Sequence, residues 1–273
     1  MFDKFIHNWL AVPYTLHVYT KRSVKKPRAT VLLLHGIGNS GAAWQEVVNS
    51  IPPDVRVISI DLLGFGKSPR PKRAVYDSRT QARAVIATLI RAGVAGKLII
   101  VGHSLGARVA VEVAKRYPAI IKSLILCSPP FYKNDNDTRF WLRREQQLRM
   151  LYRLIQHHPE QFVAISTLAM KYKLVNKAFS VTTDDVETYM ETLESSILNQ
   201  TALEDASRLK KPITIIHDRF DSYVIRSNLT YLQKHNPLVR LRVIAAGHEI
   251  RGQYNRVVNQ ELNKQYDTPR KLK

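Results

Sequence analysis

The chain has 273 residues, 45% apolar and 8% aromatic, enough for a substantial buried core and unlike a low-complexity or disordered chain. Its 42 Lys and Arg against 22 Asp and Glu give a formal charge of +20, which raises nucleic acid or an anionic surface as partners. No RRM, KH, zinc-finger or helix-turn-helix signature accompanies that charge, so no specific nucleic-acid partner is expected.

The basic residues are scattered. Segment 131–210 holds eleven basic and eleven acidic residues and is neutral, so the rest of the chain carries the whole surplus. This reads as a general basic surface, allowing at most weak, salt-sensitive association with anionic surfaces. The lone Cys127 has no partner for an intramolecular disulfide and suits a reducing compartment as a small core residue. Residues 1–10 mix charge with apolar side chains and lack the apolar core of a signal peptide. No stretch approaches 18 uninterrupted apolar residues, so no transmembrane helix is expected. Cytoplasmic location is the default expectation.

In chain order, apolar runs rich in β-branched residues recur between turn signals: Thr30 to Leu34, Val55 to Ile60, Leu98 to Val101, Ser123 to Cys127, Ile213 to Ile216 and Leu241 to Ala245. Their near-continuous hydrophobicity predicts parallel strands buried on both faces. Tyr14 to Tyr19 is a candidate antiparallel edge strand. Helical patterns lie between the runs. Ser78-Arg-Thr-Gln81 reads as a capping box opening a helix to about Ala92. Further helices are predicted from Leu105 to Tyr117, from Tyr223 to Lys234, and after His248. This alternation predicts an α/β fold with a mostly parallel central sheet flanked by helices.

From about Phe131 to Leu209 the strand signal stops. Trp141, Leu142, Leu148, Leu151, Tyr152 and Ile155 form one stripe at helical spacing, and two more helices are predicted at roughly 159–173 and 183–200. This stretch is too long for a plain loop. The expected organisation is a core of residues 1–130 and 210–273, with 131–209 as an all-helical cap over the strand ends.

Gly102-His-Ser104-Leu-Gly106 joins the Leu98–Val101 run to the following helix. A serine on such a turn has its hydroxyl lifted above the sheet, and glycines leave room where the backbone closes on itself. Ser104 is therefore the candidate nucleophile. It needs a base, and the base needs a carboxylate, in the chain order Ser, acid, His. His248 follows a strand and Gly247 and is the candidate base; of the other histidines, His7, His157, His158 and His235 read as surface residues, and His17 and His217 as structural. Two carboxylates follow Ile216, Asp218 and Asp221. Asp221 is preferred, because Asp218 sits at the strand end, where it is placed to hold the loop by hydrogen bonds. The N–H of Leu105 is one candidate oxyanion donor, and Gly36 and Gly38 place the N–H of Ile37 as the second. The loop has neither a P-loop nor a Gly-x-Gly-x-x-Gly pattern, so phosphate binding there is the weaker reading. No metal or other cofactor is expected.

His35-Gly36-Ile37-Gly38, Asp61-Leu-Leu-Gly64-Phe-Gly66-Lys-Ser68, Gly102-His-Ser104-Leu-Gly106, the Asp221 loop and Gly247-His248 together resemble the α/β-hydrolase superfamily over roughly residues 14–260. The resemblance implies Ser104 as nucleophile, His248 as base, Asp221 as acid, Ile37 and Leu105 as oxyanion donors, and a structural Asp61. The chain departs from many relatives at Asp218, where they often carry Gly. Ser104 excludes the branches whose nucleophile is Asp.

Because fold alone does not fix chemistry, several functions are expected to compete. The leading one is an esterase acting through an acyl-enzyme on small to medium, largely apolar esters. A carbon–carbon bond (meta-cleavage product) hydrolase or a lactonase would use the same triad. A non-catalytic small-molecule-binding protein is the reading from another class.

Overall fold

A computed structural model describes residues 12–72, 74–132, 152–153, 155–172, 174–198 and 201–266. Seven strands form one sheet: β1 (Val18–Arg22), β2 (Thr30–Leu34), β3 (Arg56–Ile60), β4 (Leu98–His103), β5 (Ile121–Cys127), β6 (Ile213–Asp218) and β7 (Val239–Ile244). Their order is β1-β3-β2-β4-β5-β6-β7. β1 is antiparallel to β3, and every other pairing is parallel.

The period-two geometry of strands divides the apolar runs between two layers. Leu32, Leu34, Ile58, Ile60, Ile100 and Leu124 enter one core. Their sequence neighbours Val31, Leu33, Val57, Ile99 and Ile125 enter the other. Helices α2 (Ser78–Arg91), α3 (Leu105–Arg116), α6 (Ala202–Arg208) and α7 (Arg226–His235) contribute to the first layer. The short α1 (Gln45–Ser50) and α8 (Gln253–Tyr266) cover the opposite face. Both faces being covered explains why the central strands read as unbroken apolar runs. Cys127 is buried there, and burial pushes its thiol pKa up.

Between β5 and α6, the described elements are α4 (Pro159–Lys171), a 3₁₀ turn at Thr183–Asp185, α5 (Val186–Thr192) and a π-helical turn at Leu193–Leu198. Trp141, Leu142, Leu148 and Leu151 lie outside the described residues, as do residues 1–11 and the tail 267–273. Ile155 is buried in the first core layer. α6 packs against α3 and α7 beside the sheet. None of the described helices is long and apolar enough to cross a membrane.

Three local expectations shift. The edge strand starts at Val18 rather than Tyr14, because side chains occupy the preceding backbone: Leu16 N–H donates to Thr88 Oγ1 (2.9 Å) and His17 N–H to Ser68 Oγ (2.9 Å). α2 is capped by Asp77, not Ser78; its carboxylate accepts the Thr80 N–H at 2.7 Å. Gln81 instead brackets Leu63, accepting its N–H and donating to its carbonyl, both at 2.9 Å. α7 starts at Arg226 because Asp221 holds Tyr223 N–H (2.9 Å) and Ile225 is still extended.

Candidate active site

β4 delivers Ser104. The Ser104 N–H donates to Cys127 O at the end of the neighbouring β5 (2.9 Å), so the turn is anchored across the sheet. Ser104 has φ 50° and ψ −112°, a conformation costly for a residue with a Cβ and therefore imposed by its surroundings. The flanking glycines permit it: a Cβ on Gly102 would run into the Gly106 carbonyl, and one on Gly106 into that of Leu34.

The loop after β2 closes over this turn. A Cβ on Gly36 would lie 2.8 Å from His103 Nδ1 and 3.3 Å from Ser104 Cβ. His35 fixes the loop by accepting Leu62 N–H at Nε2 (2.8 Å) and facing the Gly36 carbonyl with Nδ1 (2.7 Å). Burial pushes its pKa down to about 4, so it stays a neutral strut. Among the described residues, neither the Ile37 nor the Leu105 N–H donates to an acceptor within the protein. Leu105 opens α3, where the helix provides no acceptor. Asp61 is structural, accepting Gly41 N–H (2.6 Å) and Lys67 N–H (2.8 Å) and facing His17 Nδ1 at 2.8 Å.

β6 and β7 deliver the other two groups. Asp221 Oδ2 lies 2.7 Å from His248 Nδ1. Asp218 does not reach His248; it accepts the N–H groups of Phe220 and Ala246, each at 2.5 Å, and ties the two strand-end loops together. Burial alone would raise the Asp221 pKa, but the His248 charge, its hydrogen bond and donors from Ser128 and Tyr223 hold it below the ordinary carboxylate value. Burial alone would lower the His248 pKa; Asp221 outweighs it and leaves the imidazole above its ordinary value. Ser104 and His248 line one cavity without a direct hydrogen bond between them, a looseness common in unliganded sites.

Sequence reasoning passed over two residues here. His103 faces the His248 carbonyl with Nε2 at 2.8 Å, and burial followed by repulsion from His248 pushes its pKa down to about 3. It therefore acts as a neutral donor clamping the His248 loop. Ser128, at φ 45°, hydrogen-bonds Asp221 and sits 2.9 Å from the Tyr254 hydroxyl. The only sequence signal for it is its place directly after a strand adjacent to β4.

The shared cavity has a volume of about 400 Å³. Ile37, His103, Ser104 and His248 form one side, and Phe162, Ile165, Phe179, Tyr189, Leu193 and Ile197 from the helical stretch form much of the rest. Three ties fix that stretch to the strand-end loops: Ser180 N–H to Gly38 O (2.8 Å), Asn176 Nδ2 to Ile250 O (2.8 Å), and Arg70 Nε to Asp185 (2.8 Å). Among the described residues, no group of three His, Cys, Asp or Glu side chains is placed to hold a metal ion.

A mostly parallel sheet with a strained serine between strand and helix, facing a histidine–carboxylate pair at neighbouring strand ends, defines the α/β-hydrolase architecture. Residues 29–250 match the alpha/beta hydrolase fold family, and the chain belongs to that family. It is 33% identical over 138 residues to the probable lysophospholipase BODYGUARD 2 of Arabidopsis thaliana, covering 47% of this chain and 29% of that protein. The chain spans about a third or less of the length of the curated relatives it matches. Among solved structures it is similar to a thermophilic esterase from Thermogutta terrifontis, with TM-score 0.69, 20% identity, and coverage of 92% of this chain and 94% of that one. A meta-cleavage product hydrolase from Pseudomonas fluorescens IP01 superposes with TM-score 0.63 and 21% identity, covering 91% and 93%. At these identities the structural likeness establishes the fold alone.

Proposed function

We propose that the protein is a serine hydrolase of carboxylic esters. The observation that carries this reading is the strained Ser104 sharing a largely apolar cavity with a His248 already hydrogen-bonded to Asp221. Ser104 Oγ attacks the ester carbonyl while His248 takes its proton, and Asp221 orients the imidazole and stabilises its cation. The N–H groups of Ile37 and Leu105 receive the developing oxyanion. His248 returns the proton to the leaving alcohol. Water then attacks the acyl-enzyme with His248 again as base, releasing the acid and restoring Ser104.

Segment 131–209 serves as a cap, and its Phe162, Phe179, Leu193 and Ile197 side chains receive the acyl group. The Arabidopsis relative is named a probable lysophospholipase, a name consistent with ester hydrolysis. A panel of p-nitrophenyl esters, a lysophospholipid and a vinylogous diketone tests the reading. Ester turnover is expected, with labelling of Ser104 by a fluorophosphonate, both abolished in Ser104→Ala. A Ser104→Ala protein that keeps wild-type esterase turnover would sink the proposal.

A further inference from the structure

A second cavity, of about 210 Å³, lies where the N-terminal ends of α2 and α6 meet the side of α3. None of Ser104, Asp221 and His248 lines it. Its acidic side chains are already engaged. Glu112 pairs with Arg116, Asp205 accepts Lys115 Nζ and Thr201 Oγ1, each at 2.9 Å, and Asp77 caps α2.

Arg108 is different. It is 3% exposed and lines this cavity, yet its Nε and Nη1 have no hydrogen-bond partner. Burial pushes the guanidinium pKa down to about 9, with only Tyr132 and Glu112 drawing it back up. Two of its three guanidinium nitrogens are thus shielded from water without an acceptor, a costly arrangement for a cation. Ser78, the first residue of α2, also lines the cavity and has a buried hydroxyl without a partner. The N–H groups of Ser78 and Arg79 stand in the first turn of that 14-residue helix, beside the capping Asp77, where donors and dipole favour an anion. The exposed Arg79 lies on the same wall.

We propose that this cavity is a binding site for a phosphate group, with Arg108 as its buried counter-charge and Ser78 and the start of α2 as further donors. The guanidinium fork matches either a carboxylate or a phosphate. Donors arriving from a helix end, a hydroxyl and a guanidinium surround a tetrahedral anion better than a planar one. The same chemistry would be offered by free phosphate or by a phosphomonoester.

The test titrates inorganic phosphate, and in parallel glycerol 3-phosphate, into the full chain at ionic strength held constant with chloride. A saturable rise in Tm is expected with one or both ligands, and the ligand that produces it distinguishes free from esterified phosphate. Arg108→Met, which keeps the apolar stem and removes the charge, is expected to lose that rise. Should this variant fail to fold, Ser78→Ala replaces it, with phosphate affinity expected to fall several-fold. A rise that persists unchanged in the variant, or no rise with either ligand, overturns the proposal.

Discussion

His248 stands between two opposed influences, and their balance sets how it works. Burial favours the neutral ring; the Asp221 carboxylate 2.7 Å away favours the cation and prevails. On the proposed mechanism the base must be neutral to take the Ser104 proton, so activity is expected to be lost as pH falls through a pKa lying above the ordinary imidazole value of about 6.5. Asp221→Asn removes the larger raising influence and leaves burial opposed only by the charge of Glu249. The acid limb of kcat/KM is then expected to move to lower pH while kcat falls by a factor on the order of 10⁴, the loss known when an orienting carboxylate is neutralised. A pH–rate profile of both proteins checks this. A limb that stays in place in the variant would mean His248 is not the titrating base.

At the scale of elements, the turn between β4 and α3 concentrates the geometry that matters. Gly106 packs against the Leu34 carbonyl, which belongs to the backbone of a central strand and has little freedom to retreat. Gly106→Ala is therefore expected to cost about 1–3 kcal/mol, as overpacking does, measured as a lower urea midpoint. An unchanged midpoint would show that β2 yields. This turn was readable from sequence because its constraints are local: a strand, two glycines and a helix in one short stretch. The central strands were readable because both faces are buried. The edge was not. β1 begins later than its apolar pattern because Thr88 and Ser68 hold the backbone before Val18, and no local rule anticipates partners 72 and 51 residues away. The short α1 left too little periodicity to register. Similarly, His103 meets the His248 carbonyl across 145 positions and Ser128 meets Tyr254 across 126, so their roles emerge only once the sheet has assembled.

Across the whole molecule, the helical stretch and the sheet meet at loops that also carry the candidate catalytic groups. Ser180 binds the Gly38 carbonyl one residue from Ile37, and Asn176 binds the Ile250 carbonyl two residues from His248. The wall that would hold an acyl chain is thus referenced directly to the groups that would cleave it. Loosening one tie should disturb substrates that touch that wall and spare those that do not. In Asn176→Ala the Ile250 bond is lost, a net contribution of about 0.5–1.5 kcal/mol. The corresponding expectation is a KM raised roughly two- to tenfold for a medium-chain ester, with kcat nearly constant. An acetate ester, with no chain to lay along that wall, should show no such change. Steady-state kinetics on the two esters separates the outcomes. An equal loss on both would place the effect at His248 itself and remove the cap from the account of specificity.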